Sequence, residues 1–129
     1  MIITELKPIN EIIEGLKGNQ HVFLVGCGEC ATTCKTGGQD ELSAMQRELE
    51  KSGLTVVGSC IPSAPCAASH IKTALAKNTA ALKNAQVILV MACGLGVQSV
   101  KDNDRRGLEV YPACNTLFGA VMDGQGNFY

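Results

Sequence analysis

The chemistry in this chain is concentrated in its seven cysteines. Three of them fall in one run, Cys27-Gly28-Glu29-Cys30-Ala31-Thr32-Thr33-Cys34, directly after the apolar residues 22–25. A C-x2-C-x3-C run leaving a strand can bring three thiolates to one point, which is what a metal ion or an iron–sulphur cluster requires. Cys60 and Cys66 follow the apolar stretch 54–57, Cys93 follows residues 87–92, and Cys114 follows residues 108–111. Each cysteine therefore lies at or beyond the carboxyl end of an expected strand. If those strands are parallel, all of the thiols face one edge of the sheet.

The elements that must position them read as alternating strands and helices. A short amphipathic helix is expected over 8–18, opened by Pro8 and closed by Gly18. Strand 21–26 runs into the cysteine loop, 27–38, which ends on Gly37-Gly38. Helix 39–52 carries Leu42, Met45 and Leu49 on one side. Strand 54–58 leads to a linker whose two prolines, Pro62 and Pro65, forbid helix. A helix then spans 67–84, with an interruption at Asn78-Thr79, followed by strand 87–92, which is apolar throughout and reads as buried on both faces. Gly94-Leu95-Gly96 reads as a turn into a short helix over 97–101, and strand 108–111 follows the polar loop 102–107.

This alternation predicts one three-layer α/β domain over 1–129, with a mainly parallel sheet of four to five strands, Rossmann- or flavodoxin-like. Right-handed crossovers place the carboxyl ends of its strands on one rim, where such folds bind their ligands.

Bulk properties narrow the function. The formal charge is −1 and the pI about 6.1, which implies no basic face and argues against nucleic acid and anionic membranes as partners. The longest apolar run is too short to cross a bilayer, and the amino terminus lacks the pattern of a signal peptide, so a cytoplasmic location is expected. Disulfides are rare in that compartment, and an odd count cannot pair completely within one chain. Metal or cluster ligation, redox chemistry and plain burial remain. Buried cysteine packs as a small apolar residue, and that reading suits Cys60 and Cys114 taken singly.

Other motifs compete for the same residues. Gly26-Cys27-Gly28-Glu29-Cys30-Ala31 fits a loose dinucleotide pattern, but the position that should hold an acidic residue to grip a ribose carries Gly58-Ser59-Cys60. Cys27 and Cys30 also form the C-x-x-C of a metal-free thiol oxidoreductase, a reading that leaves Cys34, Cys66 and Cys93 unexplained. A structural zinc site would use four thiolates gathered from separate loops. An iron–sulphur cluster would use the run at 27–34 and one remote cysteine, with Gly28 letting the backbone wrap closely and Gly94 letting it approach beside Cys93. His21, His70 and the pair Arg105-Arg106 read as ordinary packed or solvated residues.

The run Val25-Gly26-Cys27-Gly28-Glu29-Cys30-Ala31-Thr32-Thr33-Cys34-Lys35-Thr36-Gly37-Gly38 resembles the signature of MetV-type proteins, the small subunit of a bacterial methylenetetrahydrofolate reductase. Residues 89–98, around Cys93, and 111–118, around Cys114, are similar to the same family. The resemblance covers roughly residues 20–119. It implies a non-catalytic oxidoreductase subunit of one-carbon metabolism, holding a [4Fe-4S] cluster, with zinc as the alternative metal. Its partner would be a flavin-containing barrel subunit to which electrons pass. By motif match Cys27, Cys30 and Cys34 would be ligands, with Cys66 or Cys93 as the fourth and Cys60 and Cys114 ranking lower.

Overall fold

Two apolar strands hold the molecule together. The computed structural model describes residues 2–28, 36–63, 66–104 and 106–119. In it β2 (His21–Val25) and β4 (Val87–Val90) lie side by side in a parallel sheet, with Val22, Phe23, Leu24, Val25 and all four residues of β4 buried. Side chains alternate across a strand. Val22, Leu24, Val87 and Leu89 therefore face one side of the sheet, while Phe23, Val25, Ile88 and Val90 face the other. Both faces need covering, and the chain covers both.

The sheet is completed by β3 (Thr55–Cys60) beside β2 and β5 (Glu109–Pro112) beside β4, giving the order β3-β2-β4-β5, parallel throughout. On the first face lie α1 (Ile9–Gly15) and α2 (Gln39–Lys51), whose Ile12, Leu42, Met45 and Leu49 pack against the sheet. The second face is covered by α3 (Ala68–Lys77), α4 (Thr79–Leu82) and α5 (Gly94–Asn103), through Ile71, Leu75, Leu82 and Val100. Three layers result, as the alternation predicted. The expected break at Asn78-Thr79 is present: the Asn78 amide turns back to donate to the Ala74 carbonyl, and α3 and α4 part there.

Four local expectations are corrected. Strand β3 runs two residues further than its apolar pattern and ends on Cys60 itself. A Cβ on Gly58 would sit 2.9 Å from Ala81 Cβ, so glycine lets α4 lie close over this strand. Gly94-Leu95-Gly96 is the first turn of α5 rather than a turn before it, and α5 extends to Asn103. The fourth difference is an extra antiparallel ribbon, in which β1 (Ile2–Leu6) pairs with β6 (Cys114–Gly119) from Ile2↔Gly119 to Leu6↔Cys114. It is tied to the main sheet where the Lys7 N–H donates to the Ala113 carbonyl at 2.8 Å. Among the described residues, no helix is long and apolar enough to cross a membrane.

Candidate metal centre

The strand order reverses direction between β2 and β4: from β2 the chain moves outward to β3, then crosses back to β4 on the other side. In parallel sheets the crevice outside the carboxyl ends at such a point is where ligands bind. Here its two walls are Gly26-Cys27-Gly28, leaving β2, and Met91-Ala92-Cys93, leaving β4. The strands stay paired to its lip, with the Met91 N–H donating to the Val25 carbonyl at 2.7 Å.

Backbone hydrogen bonds gather the neighbouring loops at the same rim. The Gly26 N–H donates to the Cys60 carbonyl at 2.8 Å, and the Gly28 N–H donates to the Pro62 carbonyl at 2.9 Å. The loop leaving β2 thus continues to track the chain leaving β3. The Cys27 N–H donates to the Gly37 carbonyl at 3.0 Å, which closes the two ends of the cysteine loop on each other. That closure is why Gly26 has no side chain: a Cβ there would overlap the Gly37 carbonyl oxygen. At Gly28 a Cβ would lie 3.2 Å from Ser63 Cα, so what approaches this glycine is the linker after β3. The Gly94 N–H is met by the Thr116 hydroxyl of β6 at 2.9 Å. Both glycines singled out for cofactor contact therefore have neighbouring chain against them.

The cysteines divide by surroundings. Cys27 is 7% exposed and belongs to the core of the second face. Cys60 packs against that same core, and burial pushes its thiol up to about 12 from the ordinary 9.0. It is a protonated, apolar-packed residue. Cys114 is buried on the first face, where its Sγ donates to the Thr36 carbonyl at 3.8 Å. Cys93 is half-buried immediately before α5, and Cys66 is exposed shortly before α3. Cys30 and Cys34 lie outside the described residues. Among the described residues, no three Cys, His, Asp or Glu side chains group together to hold a metal ion.

The polar residues that fix this rim are threonines, which the cysteine spacing gave no reason to single out. The hydroxyls of Thr4 and Thr36 hydrogen-bond at 2.7 Å in the interior. Thr36 in turn receives Cys114 on its carbonyl, so the ribbon and the exit of the cysteine loop are fastened at one residue. Neither histidine joins this arrangement as a ligand: His21 is at the opposite, amino end of β2, and His70 is exposed on α3.

No family model matches the chain, and no curated protein matches it.

Proposed function

We propose that the protein is an iron–sulphur subunit of the MetV type, holding a [4Fe-4S] cluster and supporting electron transfer to a flavin-bearing barrel subunit of a methylenetetrahydrofolate reductase. The observation that carries this reading is the meeting of cysteine-bearing loops at the crevice between β2 and β4, with Cys27 on one wall and Cys93 on the other. The donor set available at that rim is rich in thiols, the soft ligands such clusters take.

Cys27, Cys30 and Cys34 would hold three corners. Cys60 ranks lower by motif match, and the Cys114 thiol is engaged by the Thr36 carbonyl. Cys66 and Cys93 remain, and Cys93 is favoured because it leaves the strand directly beside β2. When bound, such a cluster supplies one-electron transfer. The chain's own part is to keep water from Cys27 by burial and to fix both ends of the loop through the Cys27–Gly37 hydrogen bond. Burial of that kind, with hydrogen bonds to sulphur, sets the potential of a cluster.

The test is anaerobic purification with iron, sulphide and zinc analysis on the parent chain and on Cys93→Ser and Cys60→Ala. Brown protein with equal iron and sulphide is expected, lost in Cys93→Ser and kept in Cys60→Ala. Colourless parent protein holding one zinc would replace electron transfer by a structural role. Metal-free protein whose Cys27 and Cys30 alkylate rapidly at neutral pH would replace it by thiol chemistry.

A further inference from the structure

The charge of −1 conceals a segregation. No Asp or Glu occurs between Glu50 and Asp102, a stretch that holds Lys51, Lys72, Lys77, Lys83 and Lys101. Eight of the twelve acidic residues precede that stretch, with only four of the eleven basic ones. The fold turns this sequence pattern into a spatial one, because α3, α4 and all but the last two residues of α5 come from the acid-free stretch. His70, Lys72, Lys77, Lys83 and Lys101 are all exposed there, and Arg106 follows at the end of α5. The ion pairs among the described residues are Lys7–Glu11 and Lys51–Glu48, neither of them on this layer.

A groove of about 640 Å³ runs between α3, α4 and the end of α5. Leu75 and Leu82 line it, and Lys72 and Arg106 contribute its cationic groups. Asp104 lines it as well, and Asp102 lies in the last turn of α5. Asp102 accepts from the Gln98 amide at 2.8 Å, and Asp104 accepts from the backbone N–H groups of Arg106 and Leu108 at 3.2 and 2.8 Å. Hydrogen bonds from neutral amides leave both carboxylates charged, so the face keeps a positive excess, with Lys72, Lys77, Lys83, Lys101 and Arg106 against Asp102 and Asp104.

We propose that this second face docks an acidic protein surface, presented as a helix with apolar residues flanked by carboxylates. The inference stands apart from the reading of the cysteines, since none of its residues is a candidate ligand. Charge complementarity identifies the partner's chemistry. Lys72, Lys77, Lys83 and Lys101 are spread over three separate helices, a wider distribution than one small anion engages. Nucleic acid is disfavoured because residues 51–108 contain no Phe, Tyr or Trp, and His70 is their one ring on which a base could stack. An apolar-floored groove with a cationic rim is the complement of an amphipathic acidic helix.

The probe is a synthetic amphipathic peptide of about fifteen residues, the length at which an isolated helix begins to hold, with Leu on one side and Glu on the other. It is titrated into the full chain at low salt and followed by amide chemical shifts. Shifts are expected at Lys72, Ala76, Thr79 and Arg106, disappearing in roughly 1 M salt, where charges are screened beyond about 3 Å. The double charge reversal Lys72→Glu with Arg106→Glu should weaken binding about tenfold or more, and Lys17→Glu on the first layer should not weaken it. Shifts confined to α1 and α2, or unchanged affinity in the double variant, would overturn the proposal. So would tighter binding of an oligouridylate of equal charge, or self-association of the chain at low salt by sedimentation.

Discussion

On the first face, α2 covers the sheet with Leu42, Met45 and Leu49 carried on thirteen unbroken residues. Its Glu41 carboxylate accepts from the Gly38 N–H at 3.0 Å, Asp40 and Glu41 occupy the first turn, and Lys51 occupies the last. Each charge suits the helix dipole at its own end. On the second face the same task falls to α3 and α4, which part at Asn78, and neither has an acidic residue in its first turn. The first layer is thus arranged for its own stability. The second has Lys77 and Lys101 in the last turns of α3 and α5, where they suit the dipole as Lys51 does on α2, but among the described residues no carboxylate pairs with its lysines. Two layers burying similar aliphatic side chains against one sheet differ in how their outer sides are charged.

The largest expected effect separates the layers by how well each can close over a lost side chain. Leu49→Ala, in the last turn of the thirteen-residue α2 and fully buried, should cost towards the upper end of the roughly 2–5 kcal/mol typical of such truncations. Leu82→Ala, at the last position of the four-residue α4, should fall near the lower end, because a short element can settle into the space. Urea midpoints of the two variants measure the difference. Equal losses would mean that α4 is held as firmly as α2.

An intermediate effect tests the thiol on the second core. The folded value for Cys60 is raised, so the folded protein keeps a proton that the unfolded chain gives up. The stabilisation is whole below about pH 9 and is lost as the pH rises towards about 12. Between about pH 8 and about pH 11 the parent should lose on the order of 2 kcal/mol more than Cys60→Ala. Parallel loss in parent and variant would show that this thiol is not held neutral by its surroundings.

The smallest effect should change sign between layers. Ala80→Glu places a carboxylate on α4 three residues before Lys83, and should stabilise by about 0.2–0.5 kcal/mol. Ala44→Glu on α2, four residues from both Asp40 and Glu48, should destabilise by about 0.2–0.5 kcal/mol, Arg47 three residues on offsetting one of the two repulsions. Both changes should fade with added salt, and thermal unfolding at two ionic strengths reads them.

Much of this architecture could be read from residue order. The unbroken apolar run at 87–90 announced a central strand, and the Leu42, Met45, Leu49 spacing announced α2. Those signals are local, and packing did not contradict them. The ribbon was not legible: the partners of Ile2-Ile3-Thr4 lie more than a hundred residues away, and nothing in either segment marks the other. Cys60 was assigned beyond its strand because Gly58-Ser59 resembles a stop, whereas glycine there admits Ala81. At the rim, the gathering of cysteine-bearing segments followed from parallel order alone. That Cys60 and Cys114 suit plain burial was legible too, but not what surrounds them, because that depends on Thr36 and on the packing of the second core. The basic face was hidden for a different reason. A net charge sums over the whole surface, and opposite signs on two layers cancel in it.

The pairing of β1 with β6 fixes an order of assembly. Its closure spans roughly 110 residues, an entropic cost met only after the intervening sheet has drawn its ends together. On the ribosome, Thr4 and Thr36 emerge early, but the strand that pairs with β1 and brings Cys114 to Thr36 emerges late. The nascent chain therefore passes through a stage in which the four-stranded sheet can form while the ribbon stands open, leaving the exit of the cysteine loop without its final fastening.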